Sequence, residues 1–272
     1  MRNYQTGYSM IDTIHNPDKN EFNEKYGKKG IPVLLKGIMD NWAATTKWDS
    51  TYFKTRFTHT EGIAVRNLDT TDKRKMTIGD YFNYMESTDD LDPYYLKNTQ
   101  FHLETDMTKD YVVPSYFTNC LDIIKDKLPL AFQLSWMYIG STNTFSGLHL
   151  DIFNTSAWNA VISGKKIWVF YPSEQAQYLY NGVVNPFNPD LVKYPEFAKA
   201  KPLVCVQSPG EIVFTPSGWW HAVYNEVGGV SITENYINDT NYDVVKMTLL
   251  YHNKLEEAKI VDSCMQHYMS TK

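Results

Sequence analysis

Residues 146–172, SGLHLDIFNTSAWNAVISGKKIWVFYP, carry short apolar runs separated by serine and glycine, a pattern typical of strands joined by turns. His149 and Asp151 fall on one face of the first run, because alternate residues of a strand point the same way. Lys165 and Lys166 begin a later run, where core residues would be expected. Such groups are costly to bury without partners. The stretch therefore predicts a sheet whose interior binds a metal and a dicarboxylate.

The composition is that of a globular protein with a β-rich core. The chain has 272 residues, of which 43% are hydrophobic and 21% charged, and aromatic residues reach 15%. This length is enough for one large domain or two small ones. The net charge of −5 gives no general attraction to nucleic acid or to an anionic membrane.

The cysteines and the N-terminal residues bear on location. Three cysteines with wide spacing and no CxxC motif argue against a disulfide framework or a structural zinc site, and they favour a reducing compartment. The N-terminal MRNYQTGYSM lacks the apolar segment of a signal peptide, and no apolar run reaches membrane-spanning length. We therefore expect the protein in the nucleus or cytoplasm, with no membrane partner.

Three regions follow one another along the chain. Residues 1–130 predict a helical and strand-containing region that packs on the rest, residues 131–240 predict short strands of a barrel or sandwich, and residues 241–272 predict helices. The fold class is thus mainly β with flanking helices, an α+β arrangement. Within the first region the predicted helices are 19–30, 42–57, 77–87 and 115–128, and the predicted strands are 31–38, 62–68 and 92–98.

A third metal-binding candidate lies about seventy residues after the first two. The Pro-Ser-Gly turn of TPSGWWHAVYN leads His221 onto an alternating strand. In a rolled sheet this histidine could join His149 and Asp151, which leaves three metal positions open, as in non-haem Fe(II) oxygenases. Manganese, nickel or zinc in a cupin-like barrel satisfies the same three residues. The similar HTE and HLE motifs at residues 59–61 and 102–104 are predicted to be solvated loops.

The two lysines admit two interpretations. A Ser-Gly turn precedes them, so residues 157–172 predict a β-hairpin. Lys166 shares a face with Trp168 and Phe170, and a buried ammonium there needs an anion such as the distal carboxylate of 2-oxoglutarate. Alternatively, Lys165 points inward and Lys166 faces solvent, and alternation does not choose between them.

The SITENY stretch places two more polar side chains on one face. The hydroxyl of Thr233 could donate to the same carboxylate, and the amide of Asn235 could reach the metal region. Ordinary polar residues on a half-exposed sheet would give the same pattern.

At these motifs the sequence resembles the Jumonji-C family of Fe(II)- and 2-oxoglutarate-dependent oxygenases. The resemblance rests on HLDIFNTSAWNAVISGKKIW, PSGWWHAVYN and ITENY, and YMESTDD and KWDSTYFKTRF extend it into the N-terminal half. Within the family the likeness is closest to the branch once described as a phosphatidylserine receptor, then as lysyl hydroxylase and arginine demethylase. It implies a double-stranded β-helix, the cupin-like jelly roll, with N-terminal and C-terminal helices around it.

The resemblance also implies a cofactor set and residue roles. It implies Fe(II), 2-oxoglutarate as cosubstrate, and O2. The implied iron ligands are His149, Asp151 and His221. The residues implied to bind or surround the cosubstrate are Lys166, Thr233, Tyr95, Asn159, Asn235 and Ser146.

The expected activity is hydroxylation of protein side chains, with lysine as the favoured target. N-methyl arginine or lysine demethylation, RNA-base hydroxylation and a non-catalytic binding module are the alternatives. Net negative charge disfavours nucleic acid, and the metal triad disfavours the binding module.

Two regions predict contacts with partners. Residues 173–208 carry aromatic residues that could wall a peptide groove, with Asp190 and Glu196 to attract a basic substrate. Residues 241–270 carry an apolar face that predicts a homodimer through the C-terminal helices. Its members are Val244, Val245, Met247, Leu249 and Leu250.

Overall fold

The computed structural model describes residues 8–128 and 133–271, which form two β-sheets with helices around them. In chain order the strands are β1 (Ser9–Met10), β2 (Asp12–His15), β3 (Val33–Lys36), β4 (Glu61–Val65), β5 (Lys73–Thr77), β6 (Tyr95–Thr99), β7 (Ser135–Gly140), β8 (Phe145–His149), β9 (Ser156–Val161), β10 (Lys165–Tyr171), β11 (Leu203–Gln207), β12 (Ile212–Thr215), β13 (Trp220–Val227) and β14 (Gly229–Tyr236). The α-helices are α1 (Lys19–Phe22), α2 (Ala44–Lys47), α3 (Ser50–Arg56), α4 (Ile78–Ser87), α5 (Tyr242–Tyr251) and α6 (Leu255–Ser270).

Strands β7 to β14 form a jelly roll. The order β11–β10–β13–β8 lies in one sheet and β12–β9–β14–β7 in the other, and all of these neighbours are antiparallel. N-terminal strands extend the second sheet at both edges, and β1 extends the first. The predicted double-stranded β-helix and the mainly β class are confirmed. The predicted domain boundary between residues 130 and 131 falls outside the described residues.

Each sheet has an outer face covered by a different part of the chain. The outer face of the larger sheet carries Trp158, Phe214 and Ile232 and packs on the N-terminal helices through Phe53 and Phe82. The outer face of the smaller sheet packs on residues 179–200. Helices α5 and α6 form a separate cluster with Cys120. Consequently the inner faces of both sheets are left to enclose the functional cavity.

Helix boundaries follow their capping residues. Asp49 accepts a hydrogen bond from Tyr52 N at 2.7 Å and begins α3, and Thr77 accepts one from Asp80 N at 3.0 Å and begins α4. Both caps satisfy amide groups that have no partner inside the helix. Among the described residues, no helix combines the length and apolar character needed to cross a membrane.

Several predicted elements are corrected by the structure. Strands β9 and β10 do not form a hairpin, because the jelly roll places them in different sheets and the Ser-Gly turn crosses between the two. Residues 115–128 fold as two 3-10 helices, Ser115–Phe117 and Cys120–Lys127, rather than one α-helix. The 19–30 helix divides into α1 and a π-helical turn, Asn23–Gly27.

The prediction for His102 is also wrong. Its side chain is fully buried, and its Nε2 lies 2.9 Å from Ser135 Oγ. Burial lowers the pKa of His102 to about 3, so the imidazole is neutral. His102 is thus a core residue beneath the larger sheet, and no metal cluster among the described residues includes it.

The C-terminal apolar face is narrower than predicted. Val245 and Leu249 are buried inside the cluster with α6, while Val244, Met247 and Leu250 remain exposed. An amphipathic helix buries one stripe on its own domain. Only the second set is therefore available to a partner.

Candidate active site

Three side chains converge where β8 ends and β13 begins. His149 and His221 are directly opposite each other in the antiparallel register, with ring centroids 4.3 Å apart. Asp151 Oδ2 lies 3.9 Å from His221 Nε2. One ligand atom from each residue lies within 4.8 Å of the other two, and no other such cluster occurs in the described ranges. The sequence placed these three residues together correctly.

Backbone carbonyls orient both imidazoles. His149 Nδ1 donates to Gly147 O at 2.7 Å, and His221 Nδ1 donates to Trp219 O at 3.0 Å. A carbonyl can only accept, so each Nδ1 carries the hydrogen and each Nε2 of a neutral ring has a free lone pair. Burial, reinforced by the neighbouring His149, lowers the pKa of His221 to about 4. This is the arrangement by which protein groups orient histidine ligands of a metal.

Asp151 lies just beyond the strand on which it was predicted. Strand β8 ends at His149, and Asp151 continues in extended conformation with φ −63° and ψ 156°. Its Oδ2 is buried and has no hydrogen-bond partner among the described residues. A buried carboxylate oxygen without a donor is costly. The donor set of two imidazoles and this oxygen therefore fits a divalent metal ion.

A clasp joins the segment after Asp151 to the turn before His221. Gly218 N donates to Asn154 Oδ1 at 2.6 Å, and Ser217 N donates to Ser156 Oγ at 3.2 Å. Asn154 has a φ of +58°, a left-handed conformation that asparagine tolerates better than most residues. The clasp holds the carboxylate and the second histidine in register.

The structure turns Lys166 inward and Lys165 outward. Lys166 is buried and its Nζ donates to Asn225 Oδ1 at 2.7 Å, across the register pair of β10 and β13. Lys165 is half-exposed and pairs with Glu226 at 2.9 Å. Burial lowers the pKa of Lys166 to about 7. No carboxylate of the described residues pairs with Lys166. Its ammonium form would therefore be stabilised by an anionic ligand.

The larger sheet supplies polar groups opposite that lysine. Asn159 and Thr233 are register partners on β9 and β14, and Asn159 Nδ2 donates to Thr233 Oγ1 at 2.6 Å. The hydroxyl hydrogen of Thr233 is therefore left for another acceptor. Asn159 Oδ1 is buried and has no partner in the part of the chain that the structure describes. Both residues can serve a ligand that enters between the sheets.

Tyr95 closes the deep end of the cavity. Its hydroxyl lies near Asn225 and Ser146, and burial raises the pKa of Tyr95 to about 12. The close approach needs a residue without a side chain, because a Cβ at Gly140 would lie 2.5 Å from Asn225 Nδ2 and 2.7 Å from Tyr95 Cε2.

One cavity contains eight of the nine predicted site residues. They are His149, Asp151, His221, Lys166, Thr233, Tyr95, Asn159 and Ser146. Asn235 lines the mouth outside this cavity, where its Nδ2 donates to Thr155 Oγ1 at 2.9 Å. The structure adds Tyr138 to the cavity and Asn225 as the partner of Lys166. Alternation from His221 would have found Asn225, which is four residues further along β13.

The connection 173–208 does not form the predicted peptide groove. Phe187 and Phe197 are buried against the outer face of the smaller sheet, and none of the residues that line the cavity or its mouth belongs to this connection. Glu196 pairs with Lys199 at 2.6 Å, and Asp190 accepts hydrogen bonds from two nearby backbone amides. Burial of these apolar rings against the smaller sheet is favourable because it removes their surface from water.

A cupin-like domain model matches residues 19–243, which includes every residue of the cavity. This chain belongs to the cupin-like domain family. The cupin-like protein is also 30% identical to the lysine-specific demethylase JMJ21 of Arabidopsis thaliana. The alignment spans 261 residues and covers 90% of this chain. It is 30% identical to the bifunctional arginine demethylase and lysyl-hydroxylase psr-1 of Caenorhabditis elegans, and 28% identical to the 2-oxoglutarate and iron-dependent oxygenase JMJD4 of Gallus gallus. These matches cover 86% and 89% of the chain.

The relatives confirm the predicted resemblance to the Jumonji-C oxygenases. The chain spans 27% of JMJ21, 64% of psr-1 and 63% of JMJD4. The shared portion is thus the cupin-like domain and its flanking elements.

Proposed function

We propose that this protein is an Fe(II)- and 2-oxoglutarate-dependent oxygenase that hydroxylates protein side chains, with lysine as its target. The observation that carries the proposal is that one cavity holds three candidate metal ligands and a buried lysine with no carboxylate partner among the described residues. The names of psr-1 and JMJD4 support the same chemistry.

In this proposal each residue has a defined task. His149, Asp151 and His221 would hold the iron, each histidine through its free Nε2 and the aspartate through its carboxylate. Iron at this position, with 2-oxoglutarate and O2, supplies the oxidation of a C–H bond to C–OH, with succinate and CO2 as coproducts. The backbone carbonyls that accept from both Nδ1 atoms keep the rings oriented throughout.

Lys166 binds the distal carboxylate of 2-oxoglutarate in its ammonium form, and Asn225 fixes the direction of that ammonium. Thr233 donates its hydroxyl hydrogen to the same carboxylate, and Tyr95 closes the end of the pocket. Trp168 and Val223 line the cavity and exclude water from it. Binding and orientation of the reactants are thus the contribution of the protein.

The experiment compares succinate formation by the wild type and by Asp151→Ala with Fe(II) and 2-oxoglutarate. Loss of groups around a metal ligand costs about 10- to 100-fold, so loss of the ligand itself should cost at least about 100-fold. Asp190→Ala is the matched control, because Asp190 lies outside the cavity. Native turnover by a folded Asp151→Ala protein would refute the assignment.

The reaction outcome is read by mass spectrometry of lysine peptides and methyl-arginine peptides. A gain of one oxygen on lysine supports hydroxylation. Loss of a methyl group with an equal amount of formaldehyde, and no oxygen gain on lysine, supports the demethylation named for JMJ21 and psr-1 instead. The predicted attraction of a basic substrate by Asp190 and Glu196 has lost its support, because both carboxylates are engaged away from the mouth.

A symmetric dimer through α5 and α6 stays a prediction. Val244, Met247 and Leu250 are the members of the predicted face that are exposed. Light scattering at micromolar concentration should report a dimer, and Met247→Glu should dissociate it because a charge would be buried at the contact. A wild-type monomer would contradict the prediction.

Location in the nucleus or cytoplasm also stays a prediction. Microscopy of the tagged full chain in its own cells tests it, and signal confined to the secretory pathway would contradict it.

A further inference from the structure

The mouth of the cavity contains a lysine that sequence analysis did not single out. Lys97 on β6 lines this mouth together with His149, Asp151 and Tyr138. It does not line the deeper cavity that holds Lys166. The two lysines therefore lie at different depths of one site.

A β-bulge lies at Lys97 and Asn98. The register between β6 and β7 shifts between Leu96 and Thr99, and Asn98 has a φ of +58°. Tyr138 OH donates to Asn98 Oδ1 at 2.7 Å, which fixes the irregular backbone to the neighbouring strand. Lys97 follows Tyr95 at the spacing that keeps two strand residues on one face, and both line the site.

Among residues 8–128 and 133–271 no carboxylate forms an ion pair with Lys97 Nζ. The Nζ lies 5.8 Å from the centre of the Tyr95 ring. Burial lowers the pKa of Lys97, which is the direction expected of an ammonium without an anion.

We propose that Lys97 recognises a carboxylate side chain of the substrate protein, one or two residues from the side chain that is oxidised. This inference rests on the oxygenase function proposed above. The distal carboxylate of 2-oxoglutarate is already served by Lys166, so Lys97 is left for the second reactant. The substrate protein must pass the mouth to reach the three candidate metal ligands. A neighbour one or two positions away lies roughly 3–7 Å along an extended chain, and Lys97 lines the same mouth as His149 and Asp151.

The consequence is a preference for acidic substrate neighbours, opposite to the basic preference predicted from Asp190 and Glu196. An acidic neighbour would be attracted, and a second basic residue at that position would be repelled. Lys97 is thus a specificity-determining residue, and it takes no part in binding the metal or the cosubstrate.

The test is binding of two labelled peptides to the full-length protein loaded with Mn(II) and 2-oxoglutarate. One peptide has the core Gly-Glu-Lys-Glu-Gly and the other Gly-Gln-Lys-Gln-Gly, so they differ only in charge. Fluorescence anisotropy should show the glutamate peptide bound about five- to tenfold more tightly by the wild type, with the difference shrinking as salt is added. Lys97→Met and Lys97→Gln should both remove the preference, and Lys97→Arg should keep it.

Lys165→Met is the matched control, because Lys165 pairs with Glu226 and does not line the mouth. Equal affinity of the wild type for both peptides, or binding of neither, would overturn the inference. So would a preference that survives in Lys97→Met. Titration of 2-oxoglutarate into each variant separates this test from the proposed function. A weakened cosubstrate in Lys97→Met would place Lys97 in the cosubstrate pocket, whereas failure of the wild type to bind 2-oxoglutarate would refute the oxygenase itself.

Discussion

The two faces of β10 show how differently one strand can be used. Its inner face carries Lys166 and Trp168, which line the cavity, and its outer face carries Ile167 and Val169, which pack on residues 179–200. Around the inner face, Asp151 Oδ2 and Asn159 Oδ1 are buried and have no hydrogen-bond partner in the described part of the chain. The outer face is apolar and closely packed.

This difference distinguishes residues that pack the fold from residues of the candidate site. Unsatisfied buried polar atoms lower stability and are retained where a ligand completes them. Aromatic density alone does not mark a site, because the connection 173–208 is rich in aromatic residues and serves as a core.

The largest effect is expected when each of the two adjacent lysines of β10 is changed to alanine in turn. Lys166→Ala should raise the 2-oxoglutarate concentration for half-maximal turnover by at least about 30-fold, because it removes one partner of a buried charge pair. Lys165→Ala should change it about twofold or less, since its pair with Glu226 is half-exposed. Steady-state kinetics of both variants measure this. The reverse pattern would mean that the strand register is displaced by one residue.

A smaller effect is expected at the clasp. Asn154→Gly keeps the left-handed backbone accessible and removes the Oδ1 that accepts from Gly218 N. Mn(II) affinity should fall by about tenfold, because the two ligand-bearing segments lose their register. Asn154→Asp retains the acceptor and should bind nearly as wild type. Unchanged calorimetric affinity in Asn154→Gly would show that the clasp does not position the ligands.

The lowered pKa of Lys166 predicts that 2-oxoglutarate affinity depends on pH, by an amount no larger than the effect expected at the clasp. Burial lowers it from 10.5 to about 7, and a bound carboxylate would raise it again. Binding therefore takes up a proton above pH 7, and 2-oxoglutarate affinity should fall about tenfold from pH 7 to pH 8.5. Calorimetry in two buffers of different ionisation enthalpy measures the uptake. Affinity that is constant over this range would contradict a charged Lys166.

The lowered pKa of Lys166 also makes the stability of the fold depend on pH. The folded pKa lies below the unfolded value, so the unfolded chain binds more protons between pH 7 and 10.5. Stability of the ligand-free protein should rise with pH across that window, through this group.

The smallest effect on turnover is expected from the outer face. Val169→Ala, on the same strand, should lower the free energy of unfolding by roughly 1–3 kcal/mol because it leaves a cavity. The turnover number of the folded protein should remain near that of the wild type. Chemical denaturation and kinetics together test this. A large loss of turnover with native stability would erase the distinction between the two faces.

The sequence predicted which candidate site residues lie together better than it predicted the surrounding elements. His149, Asp151 and His221 were found because strand alternation and a turn aim them at one point, and alternation left Lys165 and Lys166 undecided because adjacent residues differ only by register. The β9–β10 hairpin was wrong because a Ser-Gly turn has the same local chemistry whether the strands pair or cross between sheets. His102 was misplaced because its polar neighbours do not reveal the sheet that buries it.

Residues supplied by distant strands were the hardest to predict. Asn225 accepts a hydrogen bond from Lys166 across 59 positions, and Lys97 meets His149 and Asp151 only where β6 and β8 come together in the folded structure. Alternation could have indicated Asn225, but only the paired structure shows which lysine it meets.

The most direct test is a crystal structure of the protein with Mn(II) and 2-oxoglutarate, with the metal located by anomalous scattering. We predict one manganese ion bound by His149, Asp151 and His221, and a carboxylate of 2-oxoglutarate within hydrogen-bonding distance of Lys166 Nζ. Manganese at any other position, or a cosubstrate carboxylate that does not contact Lys166, would contradict the assignment of this cavity as the oxygenase centre.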